Sequence, residues 1–383
     1  MPKKRANGEG SIRKRSDGRW EGRYTAGHEP ESGRPIYKNV LGKTQAEVKE
    51  KLRQAIEASR ALDVTRSGAY TVEEWLNTWY ELYSKPYVRE STAQYYKRFI
   101  DLHIGPAIGD IPLGKLTARD IQKLYNDLQD HGRIRAAQKS KQPGLSSASV
   151  HGVHMLLHNC LDRAVKERLI LRNPTEDCRI PKLEKKEMHI LRPEHIGAYL
   201  KAAEARDALP MFYLALTSGV RKGELVALLW SDVDTERCTV SVSKQATVSG
   251  GEIKVTRPKT ATSVRRVSVP RQTVELLIQE HGRHPDNPYL FPSPKTGGMY
   301  YPDSVVKLHK KIFKDAGLEP IRLHDLRHTF ATLALQSGVD VKTVSSMLGH
   351  YDAGFTLSTY AHATERMQEE AAEKMGSLMS QVM

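Results

Sequence analysis

Arg322-Leu323-His324-Asp325-Leu326-Arg327-His328, then Leu348-Gly349-His350, then Thr359-Tyr360-Ala361-His362, packs arginine and histidine into a short C-terminal span that closes on a tyrosine. Upstream, Ser218-Gly219-Val220-Arg221-Lys222-Gly223-Glu224-Leu225 adds an arginine just past a glycine that ends one helix and just before the next. Two guanidiniums, Arg221 and Arg327, can fork onto the non-bridging oxygens of one phosphate and neutralise the charge of a pentacoordinate transition state. A phenol gives up its proton only near about pH 10, so a tyrosine nucleophile needs a base and a cationic pocket. His324 and Arg327 lie three apart and share a helix face, whereas His328 is expected to turn toward the core. Singly, each residue has a bland reading: an arginine opening a helix with Glu224 three residues on is a common surface ion pair, and a lone histidine is commonly structural. Together with His350 after a Leu-Gly turn, they predict a phosphodiester pocket with Tyr360 as its nucleophile.

Bulk composition points the same way. At 383 residues the chain should hold two or three domains. The 59 Lys and Arg against 45 Asp and Glu leave a net charge of +14, which favours a polyanionic partner. Nucleic acid is the first candidate and an anionic membrane surface the second. A mean hydropathy of −0.53 without a long apolar span argues against the membrane. Cys160, Cys178 and Cys238 are far apart and odd in number, so isolated apolar thiols are expected rather than a disulfide framework. The basic N-terminus Met-Pro-Lys-Lys-Arg has no apolar signal core and reads as a DNA-touching arm. A cytosolic chain is expected.

Three segments are predicted, at residues 1–62, 68–182 and 188–383. The first reads as strand, turn, strand, turn, strand and helix, with turns at Ser16-Asp17-Gly18 and between Glu29 and Pro35. Thr44-Gln45-Ala46-Glu47 is a capping box opening a helix with Ala46, Val48, Leu52 and Ile56 inward. Arg13, Lys14, Arg15, Arg19, Arg23 and Lys38 interleave with Trp20, Tyr24 and Tyr37, a pattern suited to a duplex groove or to a solvated basic sheet edge. The second segment opens on the capping box Thr71-Val72-Glu73-Glu74. Apolar residues then recur at helical spacing through Trp75, Leu76, Trp79, Tyr80, Tyr83, Tyr95, Tyr96, Phe99 and Ile100, then Ile121 to Leu128 and Val150 to Ala164. An all-helical domain with an aromatic core follows. Its polar loop carries Arg133, Arg135, Lys139 and Lys141, suited to phosphate contacts or simply solvated. The third segment is α+β and mostly helical, with three strands between Thr239 and Val269 forming a small antiparallel sheet.

In its ordered Arg, His-x-x-Arg, His and Tyr set and its three-part layout, the chain resembles a tyrosine recombinase of the phage and conjugative-transposon integrase type, over nearly its whole length. The resemblance implies catalytic roles for Arg221, Lys259, His324, Arg327, His350 and the nucleophile Tyr360, with Glu224 supporting the hydrogen bonding. Composition alone does not choose Lys259, in Arg257-Pro258-Lys259-Thr260, over Lys254. Tyr351 directly follows His350, where the family does not place its nucleophile. The implied reaction forms a 3′-phosphotyrosine, frees a 5′-hydroxyl, passes through a four-way junction, and needs no cofactor, metal or ATP. Lys259 would protonate the leaving oxygen and His324 would assist loss of the tyrosine proton, with the identity of the base left open.

The implied partners are double-stranded DNA at core-type and arm-type sites, three further copies of the chain in a tetramer, and DNA-bending and excisionase proteins. The small N-terminal sheet resembles the family's arm-binding domain. Ala371, Ala372, Met375, Leu378 and Met379 form a short apolar stripe suited to docking on another protomer or on its own domain. Two rivals share the fold: a type IB topoisomerase-like enzyme and a non-catalytic DNA-binding regulator.

Overall fold

In a computed structural model of the chain, the described residues are 10–28, 34–61, 70–134, 143–183, 188–257, 263–350, 352–360, 372–373 and 375–380. Residues 1–185 and 186–383 form two compact units.

The first unit begins with an antiparallel sheet in the order β1 (Ser11–Lys14), β2 (Trp20–His28) and β3 (Pro35–Gly42), followed by α1 (Gln45–Ala61). Gly18, at φ +82°, supplies the left-handed residue of the first turn. The Thr44 hydroxyl accepts the Glu47 N–H at 3.2 Å, while the Glu47 carboxylate reaches back to the Lys43 N–H at 2.8 Å, one residue earlier than a reciprocal box would place it. Val48 and Leu52 are buried as expected, but Ala46 is exposed. Its small side chain lies in the first turn, before the helix meets the sheet.

Strand register sorts the basic residues. Ile12 pairs with Gly22, Gly22 with Val40 and Tyr24 with Lys38, so Gly22, Tyr24 and Ala26 share the face that packs on α1. Arg13 pairs with Glu21 and Arg23 with Asn39 on the opposite face.

The helical part of this unit has a separate core. The predicted box at Thr71 is present, with the Glu74 N–H on the Thr71 hydroxyl and the Thr71 N–H on the Glu74 carboxylate. It opens α2 (Val72–Trp79), which runs on as a π-helical turn over Tyr80–Ser84. α3 (Glu90–Phe99) continues the same way through Ile100–Ile104 into α4 (Gly105–Ile108), and α5 (Ala118–His131) and α6 (Ser147–Lys166) complete the bundle. Trp75, Ile100, Ile121, Tyr125 and Leu157 fill the centre, and the Trp75 indole donates to the Cys160 carbonyl at 3.1 Å. Tyr95, expected in the core, remains 42% exposed. Its ring instead meets the edge of Phe99 one turn on. Cys160 is buried, whereas Cys178 and Cys238 are half-buried, and all three are unbridged.

The second unit opens with α7 (Pro193–Glu204), α8 (Leu209–Ser218) and α9 (Lys222–Ala227). The expected single sheet is two: β4 (Val233–Asp234), β5 (Thr239–Val242) and β8 (Arg265–Ser268) in the order β4-β5-β8, and a separate hairpin of β6 (Gln245–Ser249) and β7 (Glu252–Thr256). Gly250 and Gly251, both at positive φ, make the two-residue hairpin turn between the paired Ser249 and Glu252. The chain leaves the first sheet at Ser243 and Lys244, where Lys244 is drawn to Asp232 at 2.8 Å. Then come α10 (Arg271–Gly282), α11 (Pro302–Asp315), α12 (Asp325–Gln336), α13 (Val341–Leu348) and α14 (Ala353–Thr359).

The core of this unit encloses His309, at 0% exposure, between the Tyr199 hydroxyl at 2.9 Å and the Ile321 carbonyl at 3.1 Å. Burial lowers its pKa to about 4, so the folded chain refuses a proton that the unfolded chain accepts. Stability should therefore fall as pH drops from about 6.5 toward 4, by up to about 1.4 kcal/mol per pH unit. Urea melts of the wild type and His309→Gln at pH 7 and pH 5 should show the variant losing less on acidification.

Candidate active site

The second unit brings the C-terminal cluster and the upstream arginine to one place through two helix ends. α8 stops at Gly219, which takes φ +62° as its C-cap. A Cβ there would lie 2.5 Å from Phe330 and 2.8 Å from Leu348, so α8 can approach α12 and α13 this closely only with glycine. α13 ends in the same way at Gly349, φ +63°, and the next residue is His350. Arg327, 3% exposed in the first turn of α12, donates to the Gly219 carbonyl at 2.7 Å and to the Leu348 carbonyl at 2.6 Å. It is a strut between the two caps. Burial first, then the charges of Arg221 and Arg265, lower its pKa to about 9, which leaves it cationic at neutral pH.

Arg221 is the N-cap residue of α9. It donates through its backbone N–H to Glu224 at 2.9 Å, through its guanidinium to Glu224 at 2.9 Å, and to the Gly349 carbonyl at 3.4 Å. About a third of its side chain is exposed. Glu224, far from a surface partner, is 1% exposed. Burial alone would raise its pKa, but hydrogen bonds and charge from Arg265, with help from Arg221, leave it lowered and ionised. Arg265 was not singled out from sequence. It forks onto Glu224 at 2.9 and 3.2 Å and donates to the Met347 carbonyl at 2.6 Å.

The histidines are electrostatic neighbours of these cations. His324 is the N-cap residue of α12 rather than a member of its first turn. Burial, then His328 and Arg327, lower its pKa to about 4. His350 donates its backbone N–H to Ser345 at 3.0 Å and pairs its Nδ1 with the Thr356 hydroxyl at 2.8 Å. Burial and the arginines lower its pKa to about 4 as well. Both rings are therefore neutral at pH 7. Tyr360 is 3% exposed, packed with Phe330, Val344 and Leu348, and burial raises its pKa to about 12 against the pull of Arg327. Its hydroxyl meets His328 Nδ1 at 2.8 Å. His328 turns inward as expected, and the buried residue it meets there is Tyr360.

Lys259 lies outside the described residues, in the segment 258–262 between β7 and β8. Arg135, Lys139 and Lys141 also lie outside them, while Arg133 donates its backbone N–H to Pro143 at 2.9 Å. On the N-terminal sheet, Arg13 and Arg15 pair with Glu21 at 2.7 and 3.6 Å, and Arg19 pairs with Asp17 at 2.8 Å. Arg23 lies over the Tyr37 ring at 4.0 Å. Tyr24 is buried against α1 and Trp20 is half-buried on that same face by register. The expected single basic and aromatic face is thus divided, because strand alternation sends Tyr24 inward while Arg13 and Arg23 point out. Among the described residues no three His, Cys, Asp or Glu side chains converge as a metal-ligand set, and no helix is long and apolar enough to cross a membrane.

Residues 188–367 match the phage integrase family, and residues 71–129 match the N-terminal SAM-like domain of phage integrases. The ICEBs1 integrase of Bacillus subtilis is 30% identical over 388 residues, covering 96% of this chain and 100% of that one. A XerC-like tyrosine recombinase of Caldanaerobacter subterraneus is 26% identical, covering 91% and 93% of the two chains. The fold is similar to that of a Tn1549 transposon integrase fragment in complex with circular intermediate DNA, with a TM-score of 0.68 at 18% identity over 80% of this chain and 99% of that one. It is also similar to a lambda integrase tetramer bound to a Holliday junction, with a TM-score of 0.57 at 19% identity over 89% and 96%. With a buried arginine strut, a second arginine at a helix start and a tyrosine beside them, the chain belongs to the phage integrase family of tyrosine recombinases, enzymes that break and rejoin DNA.

Proposed function

We propose that this integrase inserts and excises a mobile element by attack of Tyr360 on a scissile phosphate, giving a 3′-phosphotyrosine and a free 5′-hydroxyl. The observation that carries this reading is the convergence of Arg221 and Arg327 on the helix caps at Gly219 and Gly349, with His350 directly after the second cap and Tyr360 packed in one cluster with Leu348. Arg221, Arg327 and His350 hold the non-bridging oxygens, Glu224 orients Arg221, Lys259 protonates the leaving oxygen, and His324 completes the proton-handling set. Because the linkage to Tyr360 conserves the phosphodiester bond, the 5′-hydroxyl of a partner strand can rejoin it without ATP. Two such rounds pass through a Holliday junction.

In this reading the division of labour along the chain is threefold. Residues 1–62 bind arm-type sites through the outer face of the sheet, residues 68–182 and 188–383 bind the core-type site, and four copies act together. The circular intermediate DNA in the Tn1549 complex supports excision, and the tetramer in the lambda complex supports the joint action of four copies. So do Met375, Leu378 and Met379, which are each more than half exposed and suit docking within or between copies. DNA-bending and excisionase proteins would set direction.

A nicked duplex carrying the junction sequence of the integrated element tests the proposal. The expected product is a covalent adduct that survives denaturant, mapped to Tyr360, with a free 5′-hydroxyl and no loss in chelator. A cut duplex without an adduct would overturn it. DNA affinity should fall steeply with salt, with a log-log slope of about −0.9 per phosphate neutralised, and a flat salt titration would contradict the electrostatic reading.

A further inference from the structure

The mechanism above leaves one group in direct contact with the nucleophile unassigned. His328 Nδ1 meets the Tyr360 hydroxyl at 2.8 Å, with the rings 5.7 Å apart between centroids. Tyr360 is 3% exposed, so bulk water has little access to its proton. No other side-chain hydrogen bond to the phenol is found among the described residues. The neighbouring histidines are otherwise placed: His350 Nδ1 is held by Thr356 at 2.8 Å, and His324 meets the His328 ring edge-on at 4.9 Å. Burial is the largest influence on His328 and lowers its pKa; of the charged groups around it, the carboxylate of Asp325 favours an imidazolium, and Arg322 and Arg327 oppose it.

We propose that His328 is a further catalytic residue, the acceptor of the Tyr360 proton; the proposal rests on Tyr360 being the nucleophile. The neutral ring carries its proton on Nε2 and accepts from the phenol through Nδ1. As Tyr360 Oη forms its bond to phosphorus, its proton passes to His328 Nδ1 and the bond from phosphorus to the 5′-oxygen breaks. The leaving oxygen takes its proton from the acid assigned to Lys259. On rejoining, the incoming 5′-hydroxyl attacks, its proton returns to that acid, and His328 gives its proton back to Tyr360. Charge and atoms balance over the cycle, and the imidazolium is discharged before the next turnover. Through its edge-on contact with His328, His324 would act on the same step from one helical turn away.

The test is single-turnover cleavage of the nicked duplex by His328→Ala and His328→Asn, with DNA binding measured alongside. Asn can still accept a hydrogen bond near the Nδ1 position, so it preserves docking of the phenol, but it cannot take the proton. Both variants should bind DNA normally and cleave about 10²- to 10⁴-fold more slowly, the range of a lost general base. Replacing Tyr360 by a fluorotyrosine, whose phenol ionises more readily, should recover part of the lost rate in the His328 variants and change the wild type little. Wild-type cleavage by His328→Asn, or a slow His328→Asn that fluorination does not help, would overturn the assignment. Tyr360→Phe in the same assay separates the two readings: an adduct that persists there would mean that the nucleophile itself is elsewhere.

Discussion

Tyr360→Phe should form no covalent adduct on the nicked duplex, a loss of at least about 10⁴-fold, while binding the same DNA with unchanged affinity. The substitution removes one oxygen. The ring that packs with Phe330, Val344 and Leu348 is kept, so the fold of this corner should survive. The variant loses only the hydroxyl at 2.8 Å from His328, and an unpartnered imidazole nitrogen there is half-buried rather than sealed. Gel shift and denaturing-gel assays on one protein preparation separate binding from chemistry. An adduct formed at the wild-type rate would move the nucleophile to another side chain, with Tyr351 the first to try.

Arg265→Ala should both unfold the catalytic unit more easily and stop cleavage. The guanidinium is 5% exposed and the Glu224 carboxylate 1%, so deleting Arg265 leaves a buried carboxylate with Arg221 as its one remaining cationic partner among the described residues, at a cost of up to about 3–5 kcal/mol. For a unit of this size that corresponds to a fall in melting temperature on the order of 10 °C. The same change cuts the bond to the Met347 carbonyl, two residues before the cap that presents His350. A paired replacement, Arg265→Met with Glu224→Leu, distinguishes the two consequences. Removing both charges should restore much of the stability, whereas cleavage should remain lost because Arg221 then has no carboxylate to orient it. Recovery of both would reduce the pair to a packing element.

Much of this was legible in the sequence, for identifiable reasons. Helix caps are local chemistry, so Thr71 and Glu74 announced α2, and Gly219 announced the end of α8. Arg221, Arg327 and His350 stood out because their order along the chain is specific. Arg265 did not, since Arg265-Arg266 reads as one more basic pair in a basic protein. Its signal was the strand period: Arg265 alternates in step with the buried Val267 and Val269, and an arginine on a core-facing position requires a buried carboxylate. Helical spacing pointed His328 inward correctly but could not show that its inward neighbour is Tyr360, 32 residues later. Burial of Tyr24 was readable from the same alternation that places Gly22 and Ala26 against α1.

The strut from Arg327 to Leu348 has a consequence for the order in which a new chain gains its powers. A ribosome makes the whole first unit and Arg221, Glu224 and Arg265 well before α13, His350 and Tyr360. Domains tend to fold as they emerge, N-terminal first. Until Leu348 arrives, one of the two carbonyls that hold Arg327 does not exist. On the function proposed above, a nascent chain would complete its DNA-binding segments before its cutting site, and the ability to cut would come last.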